Sequence, residues 1–175
     1  LFIWLPVIIA STSCTNKTGE NQKSSEKDSL VVTPDVETTP VPAVRDDDAA
    51  DDPAIWIHPT NVMKSTIIGT NKTDGLAVYN LDGEEMYYYS IGRINNVDVS
   101  YGFPLHGDTV DLAAGTNRSN NTLALLQIDQ KTGELSNIAA DTFKSAVDEV
   151  YGVAMYVSPQ THDHYIFANG KGGMV

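Results

Sequence analysis

The chain has 175 residues, 41% of them hydrophobic, a size that supports one domain with a sizeable core. Eleven Lys and Arg against 23 Asp and Glu give a formal charge of -12. That balance makes nucleic acid a poor partner, because a phosphate backbone needs a basic face. Cys14 is the only cysteine, which excludes a disulfide framework and a cysteine-based zinc or redox site and leaves packing or a bound metal to stabilise the domain.

Residues 1–14 run apolar through Leu5, Val7, Ile8, Ile9 and Ala10, then turn small at Ser11, Thr12 and Ser13 before Cys14. About ten apolar residues are too few to span a bilayer as a helix, so this stretch reads as an export signal. A small run ending in cysteine resembles a bacterial lipoprotein box, with Cys14 as the lipidated first residue of the mature protein; a free cysteine is the alternative. Ser11 stands where such boxes more often carry leucine. The expected location is therefore outside the cytoplasm, lipid-anchored to a bacterial membrane or secreted. Residues 15–44 are mostly Ser, Thr, Asn, Lys, Glu and Pro and cannot bury enough apolar area to offset ordering entropy. They are expected to be a disordered polar linker, kept extended at its end by Pro34, Pro40 and Pro42, with the folded domain over 45–175.

Beyond Arg45 short runs rich in Val, Ile, Leu and Tyr recur between Gly, Asn, Asp and Pro clusters, without a sustained helical period. Strands are predicted at Ala54–His58, Ser65–Gly69, Leu76–Asn80, Met86–Ser90, Val97–Tyr101, Val110–Ala114, Leu123–Ile128, Val153–Val157 and Tyr165–Ala168. The segment Phe143–Val150 reads as a short helical turn or a loop. The class is all-β.

Aligning these runs exposes a repeat. Three β runs close on proline, at Pro59, Pro104 and Pro159, separated by 45 and 55 residues. Each is followed 13, 14 and 12 residues later by a cation in a polar corner: Thr70-Asn71-Lys72, Thr116-Asn117-Arg118 and Asn169-Gly170-Lys171. A period near this length with about four short strands per unit marks the blades of a β-propeller. Two nearly whole blades and the start of a third are expected, fewer than a closed propeller needs. The chain starts at Leu1 and stops just past a glycine-rich turn, so both ends read as cut.

Equivalent positions in successive blades project from one rim, so Lys72, Arg118 and Lys171 are expected side by side. Three aligned cations in an acidic protein suggest an anion site, with Arg118 offering a planar fork for phosphate oxygens; pairing with local carboxylates is the alternative. An acidic set stands just before each proline-ended strand: Asp51 and Asp52, then Asn95, Asn96 and Asp98, then Asp148 and Glu149. Oxygen donors without nearby His or Cys favour a hard cation, calcium first. Asp46–Asp48 read instead as a solvated acidic loop, and the four histidines as surface residues. Together these groups suggest phosphate chemistry in which calcium bridges phosphate oxygens and supplies the attacking water.

The stretches Asp51-Asp52-Pro53-Ala54-Ile55-Trp56, Thr70-Asn71-Lys72, Gly75-Leu76-Ala77-Val78-Tyr79, Asn95-Asn96-Val97-Asp98, Asn117-Arg118-Ser119 and Asp148-Glu149-Val150-Tyr151-Gly152, in that order, resemble the β-propeller phytases over about Asp51 to Lys171. The resemblance implies a six-bladed, calcium-dependent propeller that hydrolyses phytate, myo-inositol hexakisphosphate, at adjacent cleavage and affinity phosphate sites. It implies phosphate-binding roles for Lys72, Arg118 and Lys171, a place in the active centre for Tyr151, and Ca2+ ligation by Asp52, Asn96 and Asp98, with Asp148 and Glu149 in the matching metal motif. The implied partners are inositol phosphates, with the membrane reached only through the lipid anchor, and the implied assembly is a monomer. Gly172 stands where relatives are expected to carry an acidic residue. The acidic residues of later blades lie outside this sequence, so the 175-residue piece alone is expected to be inactive. A non-catalytic propeller that binds an acidic ligand or protein, and a calcium-dependent propeller esterase or lactonase, are the competing readings.

Overall fold

The computed structural model describes residues 32–42, 48–139 and 143–175. The expected export signal, Cys14, most of the expected linker, and Arg45, Asp46 and Asp47 lie outside the described residues. Ten strands follow in chain order: β1 Ala50–Trp56, β2 Thr66–Asn71, β3 Gly75–Tyr79, β4 Glu85–Ser90, β5 Ile94–Leu105, β6 Asp108–Asn117, β7 Thr122–Ile128, β8 Leu135–Asn137, β9 Val150–Val157 and β10 His164–Gly170. They form two four-stranded antiparallel meanders, β1-β2-β3-β4 and β5-β6-β7-β8, and a two-stranded start of a third, β9-β10. The first strands lie side by side, β1 against β5 and β5 against β9. Sheets that follow one another with their first strands adjacent are propeller blades.

Each predicted strand is present, and β8 is added. Its three residues, Leu-Ser-Asn, include two polar ones and are too short to leave a sequence pattern. The segment after Phe143 contains no helix; a single bridge from Lys144 to Thr122 ties it to β7.

One core fills the space between the first two blades. Trp56, Ile68, Leu76, Val78 and Ile94 meet Val97, Ala113, Leu126, Ile128 and Leu135, with Tyr87 and Tyr89 packed against them. All five residues of β3, Gly-Leu-Ala-Val-Tyr, are buried, which is why the strand carries no charged side chain. Gly75 is obligatory there, because a Cβ would lie 1.8 Å from the Tyr89 carbonyl oxygen. Most polar atoms that enter this core are paired; the buried Thr66 hydroxyl is without a partner among the described residues. The Trp56 indole donates to Asp111 Oδ2 at 2.9 Å, and Gln130 Nε2 and the Gly102 N–H, at 3.2 and 3.1 Å, complete the hold on that buried carboxylate. The Leu135 N–H donates to the Tyr89 hydroxyl at 2.8 Å.

Two sequence expectations differ from the structure. Described residues of the linker touch the first blade: the Thr39 N–H donates to Gly83 O at 2.8 Å, and Asn71 Nδ2 to Pro42 O at 2.8 Å. An extended, proline-held segment presents free carbonyls and N–H groups that a neighbouring turn can satisfy. The histidines are not all on the surface. His58 is buried, its Nδ1 accepting the N–H groups of Thr60 and Asn61 at 3.2 Å, because the turn after Pro59 folds back over the ring. His164 Nδ1 lies 3.0 Å from Ser100 Oγ, its ring edge-on to Phe103. His106 and His162 are exposed, in left-handed turn positions.

Because Trp56 joins blade one to a buried carboxylate of blade two, Trp56→Phe is expected to destabilise the fold by roughly 1.5–3 kcal/mol, the range for a hydrogen bond to a charged group. Thermal unfolding followed by circular dichroism checks this, and an unchanged midpoint counts against it.

Candidate functional site

In the first two blades the polar pairs lie inside the first strands, not before them, whereas Asp148 and Glu149 precede β9 as expected. In β1 the register runs Ala50↔Asn71 and then Pro53↔Gly69, so Asp51 and Asp52 face the single residue Thr70. In β5 it runs Ile94↔Asn117 and then Val97↔Gly115, so Asn95 and Asn96 face Thr116. In β9 the shift between Val150↔Gly170 and Gly152↔Asn169 leaves Tyr151 as the extra residue. A bulge thus recurs at one place in all three blades, and bulges re-aim side chains. Asp and Asn are poor strand formers, which is why the sequence pattern places these strand starts too late.

Each bulge is tied to the next by a buried threonine. Thr70 Oγ1 accepts the Asp52 N–H at 2.9 Å and donates to Asn95 O at 3.1 Å. Thr116 Oγ1 accepts the Asn96 N–H at 3.2 Å and donates to Tyr151 O at 2.6 Å. One hydroxyl has the donor and the acceptor that both bonds need.

The cations follow the second strand of each blade, across from the bulges. Lys72, Arg118 and Lys171 donate their backbone N–H to Ala49, Arg93 and Glu149 O at 2.9, 2.8 and 3.1 Å. In the first two blades an Asn closes the turn beneath the cation: Asn71 Oδ1 accepts the Thr73 N–H and Asn117 Oδ1 the Ser119 N–H, both at 3.0 Å. These are Asx turns. Opposed residues of antiparallel strands share one end of a sheet, so cations and bulges share a rim although they are far apart in sequence.

Two of the cations converge on Tyr151. Its ring has the Arg118 guanidinium 5.7 Å from the centroid and Lys171 Nζ at 5.8 Å, both within cation–π reach. Arg118 Nη1 also donates to Asn95 Oδ1 at 3.1 Å. Among the described residues neither Arg118 nor Lys171 is in an ion pair, whereas Lys72 Nζ lies 2.6 Å from Asp48 Oδ2 and 3.8 Å from Asp51 Oδ1. Local carboxylate pairing therefore accounts for Lys72 alone. Asp48 is a salt-bridge partner here, not only a solvated loop residue.

Of the residues expected to hold metal, Asp52 Oδ2 accepts the Val97 N–H at 3.0 Å, across the first blade junction. Asp98 Oδ2 accepts the Met155 N–H at 2.7 Å across the second, while its Oδ1 takes the Val99 N–H. Asn96 Oδ1 accepts from Asn95 Nδ2 at 2.7 Å. Asp148 and Glu149 are exposed at the entry to β9, with Glu149 at φ 50°. These are oxygen donors, as calcium prefers, but they are spread over three blades. Among the described residues no three Asp, Glu, His or Cys side chains come together to hold a metal. Thr70 and Thr116, which organise the rim, carry no role in the sequence-based site, and their signal was the recurrence of Thr-Asn-cation itself; Asn95, read from sequence as one of the oxygen donors, instead turns its amide oxygen to Arg118.

Asp48, first through its hydrogen bond and then with Asp51 through charge, holds the Lys72 ammonium above the usual 10.5, and the Tyr151 phenol acts in the same direction. A raised lysine pKa means the folded form keeps the proton longer, so this favourable contact is complete at neutral pH and is lost only as pH climbs past the ordinary lysine value. Asp48→Asn should lower the Lys72 titration midpoint, read from its side-chain NMR resonances; no change would show that the pair does not persist in solution.

Comparison with known proteins agrees with this geometry. The chain is 43% identical over 153 residues to the 3-phytase of Bacillus subtilis (strain 168), which covers 85% of this chain and 40% of that protein. The chain thus spans about two fifths of the length of that relative. The profile of the family described as Phytase matches residues 5–175, and with propeller blades carrying a cation at the same corner of each, the chain belongs to the phytase family.

Proposed function

We propose that the full-length protein carrying this segment is a calcium-dependent phosphomonoesterase that hydrolyses phytate. The observation that carries this reading is the placement of Arg118 and Lys171 on one tyrosine ring without a carboxylate partner among the described residues. Like charges held together at a half-open rim are favourable only when an anion joins them, and a phosphate cluster is such an anion. Arg118 offers its fork to two oxygens of one phosphate, Lys171 a compact charge to the same or a neighbouring group, and Lys72 can exchange Asp48 for a phosphate oxygen. As negative charge shifts to the leaving oxygen in the transition state, these fixed donors stabilise it without moving.

Calcium held here would act as a Lewis acid toward phosphate and would supply a more nucleophilic water. Asp52, Asn96 and Asp98 are the residues of this span proposed to contribute oxygens to it, and Asp148 and Glu149 the exposed carboxylates nearest the third cation turn. Their distribution over three blades fits ions completed by residues from elsewhere in the protein, so the segment alone is proposed to be inactive. Export as a lipoprotein anchored through Cys14 is proposed with it. Cys14→Ala should then move the protein from the membrane fraction to the soluble one, and retention in the membrane would exclude a lipid anchor at this position.

Arg118→Ala in the full-length enzyme is expected to lower kcat/KM for phytate by about 10²–10³, the scale for losing a preorganised electrostatic contact; turnover at the parental rate would refute the reading. Removing calcium with a chelator should abolish phosphate release and lower the unfolding midpoint, because an ion that binds only the native state stabilises it. Full activity in chelator would overturn the metal dependence while leaving the cation site intact.

A further inference from the structure

We propose that Asn95 is the positioning residue of Arg118, and that Thr70 sets Asn95 in turn. The inference rests on the reading of Arg118 as a phosphate-binding group. Asn95 is 1% exposed, and a buried amide needs partners for both its oxygen and its nitrogen. A guanidinium has donors only, so the atom 3.1 Å from Arg118 Nη1 must be the amide oxygen. The amide nitrogen then faces Asn96 Oδ1 at 2.7 Å. Flipping the amide would place NH2 against guanidinium and oxygen against oxygen, so one orientation is enforced. The backbone beneath is held as firmly, since Asn95 O accepts the Thr70 hydroxyl at 3.1 Å and that hydroxyl accepts the Asp52 N–H at 2.9 Å.

The chemistry of this brace suits an anion site. Lys72 is oriented by Asp48, a carboxylate that also opposes its charge. Arg118 is oriented by a neutral amide, which fixes direction and leaves the full positive charge for a ligand. The Tyr151 face attracts the guanidinium but does not select which N–H points where. With Nη1 committed to Asn95, the rest of the planar fork has a defined aim. Thr70, Asn95 and Arg118 belong to β2, β5 and the turn after β6, so the aim of a cation on blade two is set partly from blade one.

A double-mutant cycle on kcat/KM for phytate in the full-length enzyme tests this, with Asn95→Ala, Arg118→Ala and the pair. Asn95→Ala should lose about 10- to 100-fold, the scale for misplacing a reacting contact. The loss should fall in the same parameter, kcat or KM, as that of Arg118→Ala. The double variant should be no worse than Arg118→Ala alone, because a residue that acts through Arg118 has nothing left to position. A near-parental Asn95→Ala, or a loss that persists undiminished beside Arg118→Ala, overturns the inference while an impaired Arg118→Ala keeps the functional reading. A fully active Arg118→Ala overturns both. If Asn95→Ala does not fold, Thr70→Val and Thr70→Ser carry the test: the isosteric Val should impair turnover and Ser, which restores the hydroxyl, should recover it. Equal activity of the two overturns the proposal.

Discussion

Two threonine hydroxyls, buried where successive blades meet, hold together everything that matters at this rim. Thr70 and Thr116 each take the N–H of a bulge in their own blade and give a proton to the bulge carbonyl of the next. A bulge leaves backbone groups that the strand ladder cannot pair, and a buried unpaired group carries a penalty of about 1–3 kcal/mol. The threonines satisfy those groups and, in doing so, fix the angle at which one blade's first strand presents its polar side chains to the next. Without that clip the bulges would have no reason to stay in phase.

The opposite ends of the same sheets are joined by other means. There the Trp56 indole enters blade two and meets Asp111, a buried carboxylate that three donors hold. Between these junctions lies an apolar core common to both blades. Its rigidity gives the rim its precision: packed β-sheet does not deform smoothly, so a cation set on a short Asx turn at a strand end has little freedom. Asn71 and Asn117 close those turns with their own side chains, which leaves the following Lys72 and Arg118 to project outward.

Two cations over one aromatic ring, with a third close by in sequence phase, are like charges that the surrounding groups must accommodate. Tyr151 offers its π face to Arg118 and Lys171, Asn95 offers Arg118 a neutral acceptor, and Asp48 and Asp51 draw Lys72 aside. Strain of this kind is tolerated where function requires it. The proposed phytate substrate, a multiply phosphorylated ring, would carry the complementary charge.

Much of this was legible in the chain before any fold was drawn. Strand spacing, the recurrence of a cation after Thr-Asn, and the prolines at Pro59, Pro104 and Pro159 specify an all-β repeat and a shared rim, because period and turn chemistry are local properties. Local patterns could not show that Asp51, Asp52, Asn95 and Asn96 sit within strands, since a bulge is stabilised by a partner from another blade and not by its own residues. Nor could they show that His58 is enclosed by the turn that follows it, or that Asn95 faces Arg118. Those outcomes depend on hydrogen bonds between groups far apart in sequence. Composition determined which side chains were available; antiparallel pairing and the stacking of blades decided which of them meet, because only the packed sheets bring donors and acceptors from distant parts of the chain together away from water.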